Sequence, residues 1–416
     1  MKPLTGNSAV RADWRSGWRP GWRRRSVWRR LPITLAVLAC RLALVTWADP
    51  LPSPTLAVGL AEFVQAGGAD IVVPGYSVPT LTHWDNDGLL DLVVGEGVAE
   101  FPGKVRVYLN VGSATSPQFA DFFYAQARGG DLTVPAEGCM GAFPRVVQWD
   151  GDGRKDLLVG RADGTVQIFL NTATDDTPSF DSGTYLAFGD PGEEEPIDVF
   201  YRATPCVTDW NDDGRKDLVI GSVDGLIYLF INAGTDTAPQ FLAVDRVQMY
   251  DESYLTVPGT RSSPDVVDLD GDGDKDLLVG DRLGQLLFFS NCASDAAPAF
   301  APYSLVYCGG AAIDLPGLPR SRPFVCDWTG DGQPDVLVGS ADGTVRLYQA
   351  LHLLGDIEPD QDVDWDDAAA LLGCESGPTV APPSGCGAAD LDLDADVDLA
   401  DVALMQAAFR GTACGD

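Results

Sequence analysis

Hydrophobic and polar positions along this chain fall into a recurring unit. A short acidic phrase leads into an apolar run that closes on glycine, at Gly95, Gly160, Gly221, Gly280 and Gly339. A turn follows, often Asp-Gly, and then an alternating strand such as Thr165-Val-Gln-Ile-Phe-Leu-Asn171. Apolar run, turn and alternating run together predict a β-hairpin. The acidic phrase occurs five times, beginning at Trp84, Trp149, Trp210, Leu269 and Trp328, so the spacing is 59–65 residues. Four of the alternating strands end on Asn110, Asn171, Asn232 and Asn291, each followed by a Pro-x-Phe.

The rest of each unit is a looser strand closing on a proline, as in 124–135. That tail also precedes the first head, at 63–74, whereas the fifth head stops at Tyr348 without one. Five heads and five tails, offset by half a unit, predict a ring in which the N-terminal strand completes the last blade. Such a ring leaves fewer unpaired sheet edges than an open array. The expected fold is therefore all-β: a five-bladed β-propeller closed by an N-terminal strand. After Tyr348 the composition shifts. Two acidic segments feed alanine-rich, helix-spaced runs, separated by a Pro/Gly/Ser linker at 375–387. This predicts a small α-helical domain of paired loops. The expected organisation is 1–48 as an export segment, 49–350 as the propeller and 351–416 as the paired-loop domain.

Charge sharpens the division. Residues 1–48 hold ten of the 28 basic residues and one of the 61 acidic ones, leaving 18 basic against 60 acidic, or −42, from Asp49 onward. A compact body with that excess repels itself unless cations neutralise part of it. Nucleic acid is excluded as a partner on the same ground. The Arg/Trp-rich lead, an apolar stretch at 31–47 and the small residues around Ala48 predict a cleaved export signal. Arg41 breaks the apolar stretch, so no stable membrane span is expected. Secretion or surface display follows, and an even count of eight cysteines after Cys40 suggests disulfides, with Cys386–Cys414 as the expected pair.

Carboxylates at alternate positions around a glycine turn are how a loop supplies the six to eight oxygens that a hard dication requires. The first loop offers Asp85, Asp87 and Asp91 behind His83, and the second Asp150, Asp152 and Asp156 behind Gln148. The third offers Asp209, Asn211, Asp213 and Asp217, and the fourth Asp268, Asp270, Asp272 and Asp276. The fifth offers Asp327, Asp331 and Asp335, with Thr329 at its third position. Five copies make a metal a better reading than an acidic turn held by hydrogen bonds alone. The expected cofactor is Ca2+, about five ions in the propeller and up to two in the tail.

The heads resemble VCBS/FG-GAP-type repeats, the calcium-loop propeller repeats of integrin heads and exported bacterial proteins. The resemblance implies that the Asp and Asn positions above are ligands; His83, Gln148 and Thr329 depart from the pattern. The tail resembles a dockerin, an EF-hand-like module. That resemblance implies a first loop of Asp356, Glu358, Asp360, Asp362, Asp364 and Asp367, and a second of Asp390, Asp392, Asp394, Asp396, Asp398 and Asp401. Gln361 and Ala395 stand where the loop glycine is usual.

Tryptophans at one shared repeat position are expected to pack blades rather than to stack on sugars. With only His83 and His352 in the chain, a Ser-His-Asp site is not expected. The resulting expectation is a non-enzymatic binding or adhesion module for an extracellular polysaccharide or surface protein, with a cohesin-like partner for the tail. A polysaccharide-degrading lyase or glycoside hydrolase on the same scaffold is the alternative.

Overall fold

The computed structural model describes residues 53–98, 101–136, 141–317, 319–357, 363 and 365–408. Contacts divide the chain into Met1–Ala48 and Asp49–Asp416. The first unit, and with it the expected export signal, lies outside the described residues. The second unit is mostly β, with two α-helices at its C-terminal end.

Each head folds as the alternation dictates. Its acidic loop joins a first strand to the apolar run, and the Asp-Gly turn joins that run to the alternating strand. In the second head Phe143–Val147 pairs antiparallel with Asp156–Gly160, which pairs with Val166–Phe169, which pairs with Thr184–Tyr185. The same scheme recurs with first strands Val78–Thr82, Thr204–Thr208, Ser263–Val267 and Arg322–Cys326. The apolar runs are buried on both faces, with Leu157, Leu158 and Val159 fully covered. Runs that read as continuously apolar are what a strand sandwiched between neighbouring sheets requires. In the sheet of the fifth head the fourth strand is Glu62–Phe63, paired with Leu347 and Arg346.

Three contacts repeat between successive heads. First, each tryptophan is buried against the Phe of the next unit's Pro-x-Phe. Ring centroids are 5.9 Å apart for Trp84–Phe180, 6.4 Å for Trp149–Phe241 and 5.8 Å for Trp210–Phe300. Trp328 of the last head meets Phe119 of the first at 5.6 Å. The one head with Leu269 in place of Trp faces the one unit that lacks the Pro-x-Phe, and Leu269 packs with Leu351 and Leu353 instead. Second, the glycine closing each apolar run lies against the neighbouring sheet. A Cβ there would sit 2.2 Å from Ala142 O at Gly95, 2.1 Å from Ala203 O at Gly160 and 2.3 Å from Ser77 O at Gly339. Third, Ser222 N donates to Ser262 Oγ at 2.9 Å and Asp281 N to Ser321 Oγ at 2.9 Å; Ser340 N donates to Ser77 Oγ at 2.9 Å in the same way. The first strands contact one another in succession, the fifth also contacting the first. All five contribute to the wall of one cavity of about 20 Å³. Their second residues, Pro79, Pro144, Pro205, Pro264 and Pro323, lack an N–H, which suits a strand on a sheet edge.

Beyond the fifth head, His352–Leu353 pairs with Leu56–Val58, which also pairs with Tyr307–Cys308. Helix α1 spans Trp365–Cys374 and α2 spans Leu399–Ala408. They share a small core in which Leu371, Leu391, Val397 and Met405 meet Ala57 and Leu354. The expected Cys386–Cys414 disulfide is not formed: Cys386 is bonded to Cys374. Cys374 is the last residue of α1, and the segment between it and Cys386 folds back on itself, with Gly377, Thr379 and Gly385 at positive φ. Cys414 lies outside the described residues. Cys206, Cys308 and Cys326 are free thiols, so the even cysteine count does not translate into full pairing.

Candidate metal centres

The eighth and last residue of each acidic phrase, Asp91, Asp156, Asp217, Asp276 or Asp335, is buried at the start of the apolar strand. One carboxylate oxygen accepts from the backbone N–H of the phrase's first residue, and the other accepts from the N–H at the end of the alternating strand. For Asp156 these are Trp149 N and Asn171 N, both at 2.8 Å. For Asp276 they are Leu269 N at 2.9 Å and Asn291 N at 2.8 Å. The asparagine at that strand end then pins its own loop: Asn171 Oδ1 accepts from Ala173 N and Ser179 N. This last carboxylate therefore fastens the loop to the hairpin, a role that its spacing did not disclose. Burial is the main cause that raises all five of these carboxyls above their ordinary value.

The fourth loop brings its carboxylates together. Asp268, Asp270 and Asp276 each place an oxygen within 4.8 Å of the others. Burial, and next the charge on Asp272, push Asp270 up to about 6; burial and Asp270 push Asp276 up to about 8. This is crowded negative charge without a nearby cation, the condition that a bound dication relieves. Lys275 is turned away onto Asp295.

The other loops differ in how their oxygens are engaged. In the first, His83 Nδ1 lies 2.8 Å from Leu89 O, a backbone carbonyl two residues beyond Asp87 that would otherwise be free to join a metal's ligands. In the second and third, Arg154 and Arg215 pair with Asp152 and Asp213. Their Nε atoms donate to Asn171 O and Asn232 O at 2.8 Å. In the third and fifth, Asp209 and Asp327 wrap the turn by accepting from Gly214 N and Gly332 N. The third-position oxygens of those two loops, Asn211 Oδ1 and Thr329 Oγ1, are buried without a hydrogen-bond partner.

The tail's second loop shows the same combination. Asp390, Asp392 and Asp401 converge within 4.8 Å, as do Asp396, Asp398 and Asp401. Asp392 Oδ1 and Asp396 Oδ1 are buried without a partner. Ala395 is held at φ 74°, the left-handed conformation that the usual glycine supplies. Asp401 Oδ1 accepts from Leu391 N at 2.6 Å, and Asp367 Oδ1 accepts from Ile357 N at 2.7 Å in the same register of the first loop. Glu358, Asp360, Asp362 and Asp364 lie outside the described residues.

Oxygen donors dominate these sets, and buried acceptors without donors are what a hard cation satisfies. The fourth loop and the tail's second loop fit calcium best; the third and fifth fit through Asn211 and Thr329. The first three carry a protein donor on an expected ligand oxygen. Between the fourth and fifth loops lies a cleft of about 460 Å³, bordered by Asp268, Asp270, Asp327, Gln333, His352 and Asp356.

Residues 209–279, which include the third and fourth loops, match the FG-GAP-like repeat family. An alignment 166 positions long, covering 36% of this chain and 13% of the other, is 25% identical to integrin alpha-7 of Mus musculus. Among solved structures, a GH43_1 enzyme from Xanthomonas citri aligns over 74% of this chain and 97% of its own, with TM-score 0.40 and 12% identity. The catalytic domain of a Coprinopsis cinerea GH62 alpha-L-arabinofuranosidase aligns over 72% and 98%, with TM-score 0.41 and 13% identity. Likenesses at that level carry no argument about activity.

Proposed function

We propose that this protein is an exported, calcium-stabilised binding module: a closed five-bladed β-propeller whose loops hold Ca2+, joined to a dockerin-like tail. Closure is supported by the fourth strand that Glu62–Phe63 adds to the last head's sheet, and by inter-head contacts that recur between the last head and the first. The calcium reading rests on one observation above others. Three different residue types at the third ligand position, Asn211, Thr329 and Asp392, each present a buried oxygen that no donor satisfies.

Calcium would be held by the loop oxygens already named, and its chemistry here is charge neutralisation. With a dissociation constant of roughly 10⁻⁴ M and extracellular calcium of roughly 10⁻³ M, each site adds about 1.4 kcal/mol of stability. Rigid loops would then present the cleft between the fourth and fifth heads to an extracellular polysaccharide, and the tail to a cohesin-like partner. A pull-down of the chain from Asp49 onward against extracted cell-surface polymers, with and without calcium, tests this. Calcium-dependent retention on polysaccharide is expected. Retention only on a protein fraction would reassign the ligand, and product release from a polysaccharide panel would move the reading to a degrading enzyme.

A further inference from the structure

The residue two places before each first strand sits at one level of the repeat: Tyr76, Gly141, Arg202, Arg261 and Arg320. Three of the five are arginines at 59-residue spacing, each with left-handed backbone, φ 61°, 59° and 62°. That conformation is uncommon for a side-chain-bearing residue. Arg322 adds a fourth guanidinium one level deeper. In a body with 18 basic and 60 acidic residues, this gathering runs against the average charge.

Arg202 is fully buried. Nη1 donates to Ser262 O at 2.9 Å and Nη2 to Ser263 Oγ at 2.8 Å, while Nε is buried with no partner. Burial, Arg322 and Arg261, in that order, push its pKa well below the ordinary value, with no carboxylate among the groups acting on it. An arginine nevertheless keeps its proton, so a charge stands here without a counter-charge. Tyr76 is also buried, and its hydroxyl has no partner. The Arg322 guanidinium lies 4.4 Å from the Tyr76 ring, and Phe143 lies 5.5 Å from Arg202 and 5.6 Å from Arg322. Phe143, Ser263 and Arg322 border the cavity of about 20 Å³ among the first strands; Arg202 and Tyr76 do not line it themselves but adjoin these wall residues. That volume admits about one water-sized sphere.

We propose that a small inorganic anion of halide size binds among the five first strands, with Arg202, Arg322 and the Tyr76 hydroxyl around it. The small cavity and the complete burial of Arg202 exclude the end of a sugar chain or a peptide. The inference does not depend on the calcium loops, which lie at the opposite ends of the same first strands.

Crystals of the chain from Asp49 onward grown in sodium bromide provide a test without mutation. An anomalous bromide peak within hydrogen-bonding distance of Arg202 is expected, and no peak there overturns the proposal. Thermal melts in millimolar calcium supply the second test, with sodium gluconate replaced by sodium bromide at constant ionic strength. The midpoint of the parent protein should rise saturably through about 1–100 mM bromide, and Arg202→Gln should lose that rise while keeping its response to calcium. An equal bromide response in Arg202→Gln, or none in the parent, would refute the site.

Discussion

Replacing Gly160 by alanine sets two physical effects against each other, and the sign of the result decides between them. Gly160 lies in the strand Asp156–Gly160 and is not among the residues at positive φ. Judged locally, alanine should stabilise by about 0.4–1 kcal/mol, because it restricts the unfolded chain. Judged from packing between sheets, the new Cβ would lie 2.1 Å from Ala203 O and 2.5 Å from Pro205 Cδ. Both neighbours belong to the next head's first strand or its lead-in, and a backbone carbonyl cannot swing aside as a flexible side chain can. Overpacking of this kind costs about 1–3 kcal/mol and outweighs the local gain. Gly373→Ala on α1 is the control, since nothing lies within 4 Å of a Cβ there, and it should stabilise by up to about 1 kcal/mol. Gly339→Ala extends the test to the contact between last and first heads, where the Cβ would meet Ser77 O at 2.3 Å. Urea denaturation of the three variants in calcium reads the differences directly. A neutral or stabilised Gly160→Ala would refute the inter-sheet packing, and a neutral Gly339→Ala alone would refute closure.

Other expectations concern the loops and one ion pair. Asp276→Asn removes an acceptor for buried backbone N–H groups, so it should cost about 1–3 kcal/mol even in chelator; Asp272→Asn, which accepts only Asp274 N, should lose stability only when calcium is present. Ala395→Gly relieves the left-handed backbone at φ 74° and should tighten calcium binding by the tail about five-fold, for a gain near 1 kcal/mol, as read by calorimetry. Burial alone would raise the Asp342 carboxyl, but Arg346, Ser340 and Thr344 outweigh it and hold it well below its usual 3.8. Its contribution is therefore present above pH 3.8 and lost as pH falls further. Asp342→Asn should be less stable than the parent at neutral pH, and the gap should narrow in acid melts.

Much of this architecture is legible in the sequence because its signals are local. A run such as Asp-Leu-Leu-Val-Gly followed by an Asp-Gly turn allows little but a buried strand and a hairpin, and the tryptophan slot reads as packing once it recurs. The convergence in the fourth loop was legible for the same reason, as its ligands lie within nine residues. What escaped depends on distance in the chain. The second duty of Asp276, fastening Asn291 N, joins positions fifteen residues apart. Cys374 reaches Cys386 only because the linker between them folds back through left-handed turns at Gly377, Thr379 and Gly385. The arginine level was readable in principle, since Arg202, Arg261 and Arg320 recur every 59 residues. Each arginine, taken singly, looks like an ordinary surface charge.

Calcium content measured together with thermal stability tests the central claim most directly. The chain from Asp49 onward, dialysed against about 1 mM calcium and then exhaustively chelated, should release bound calcium and melt at a markedly lower temperature. Protein that carries no calcium before chelation and melts at the same temperature afterwards would contradict the account.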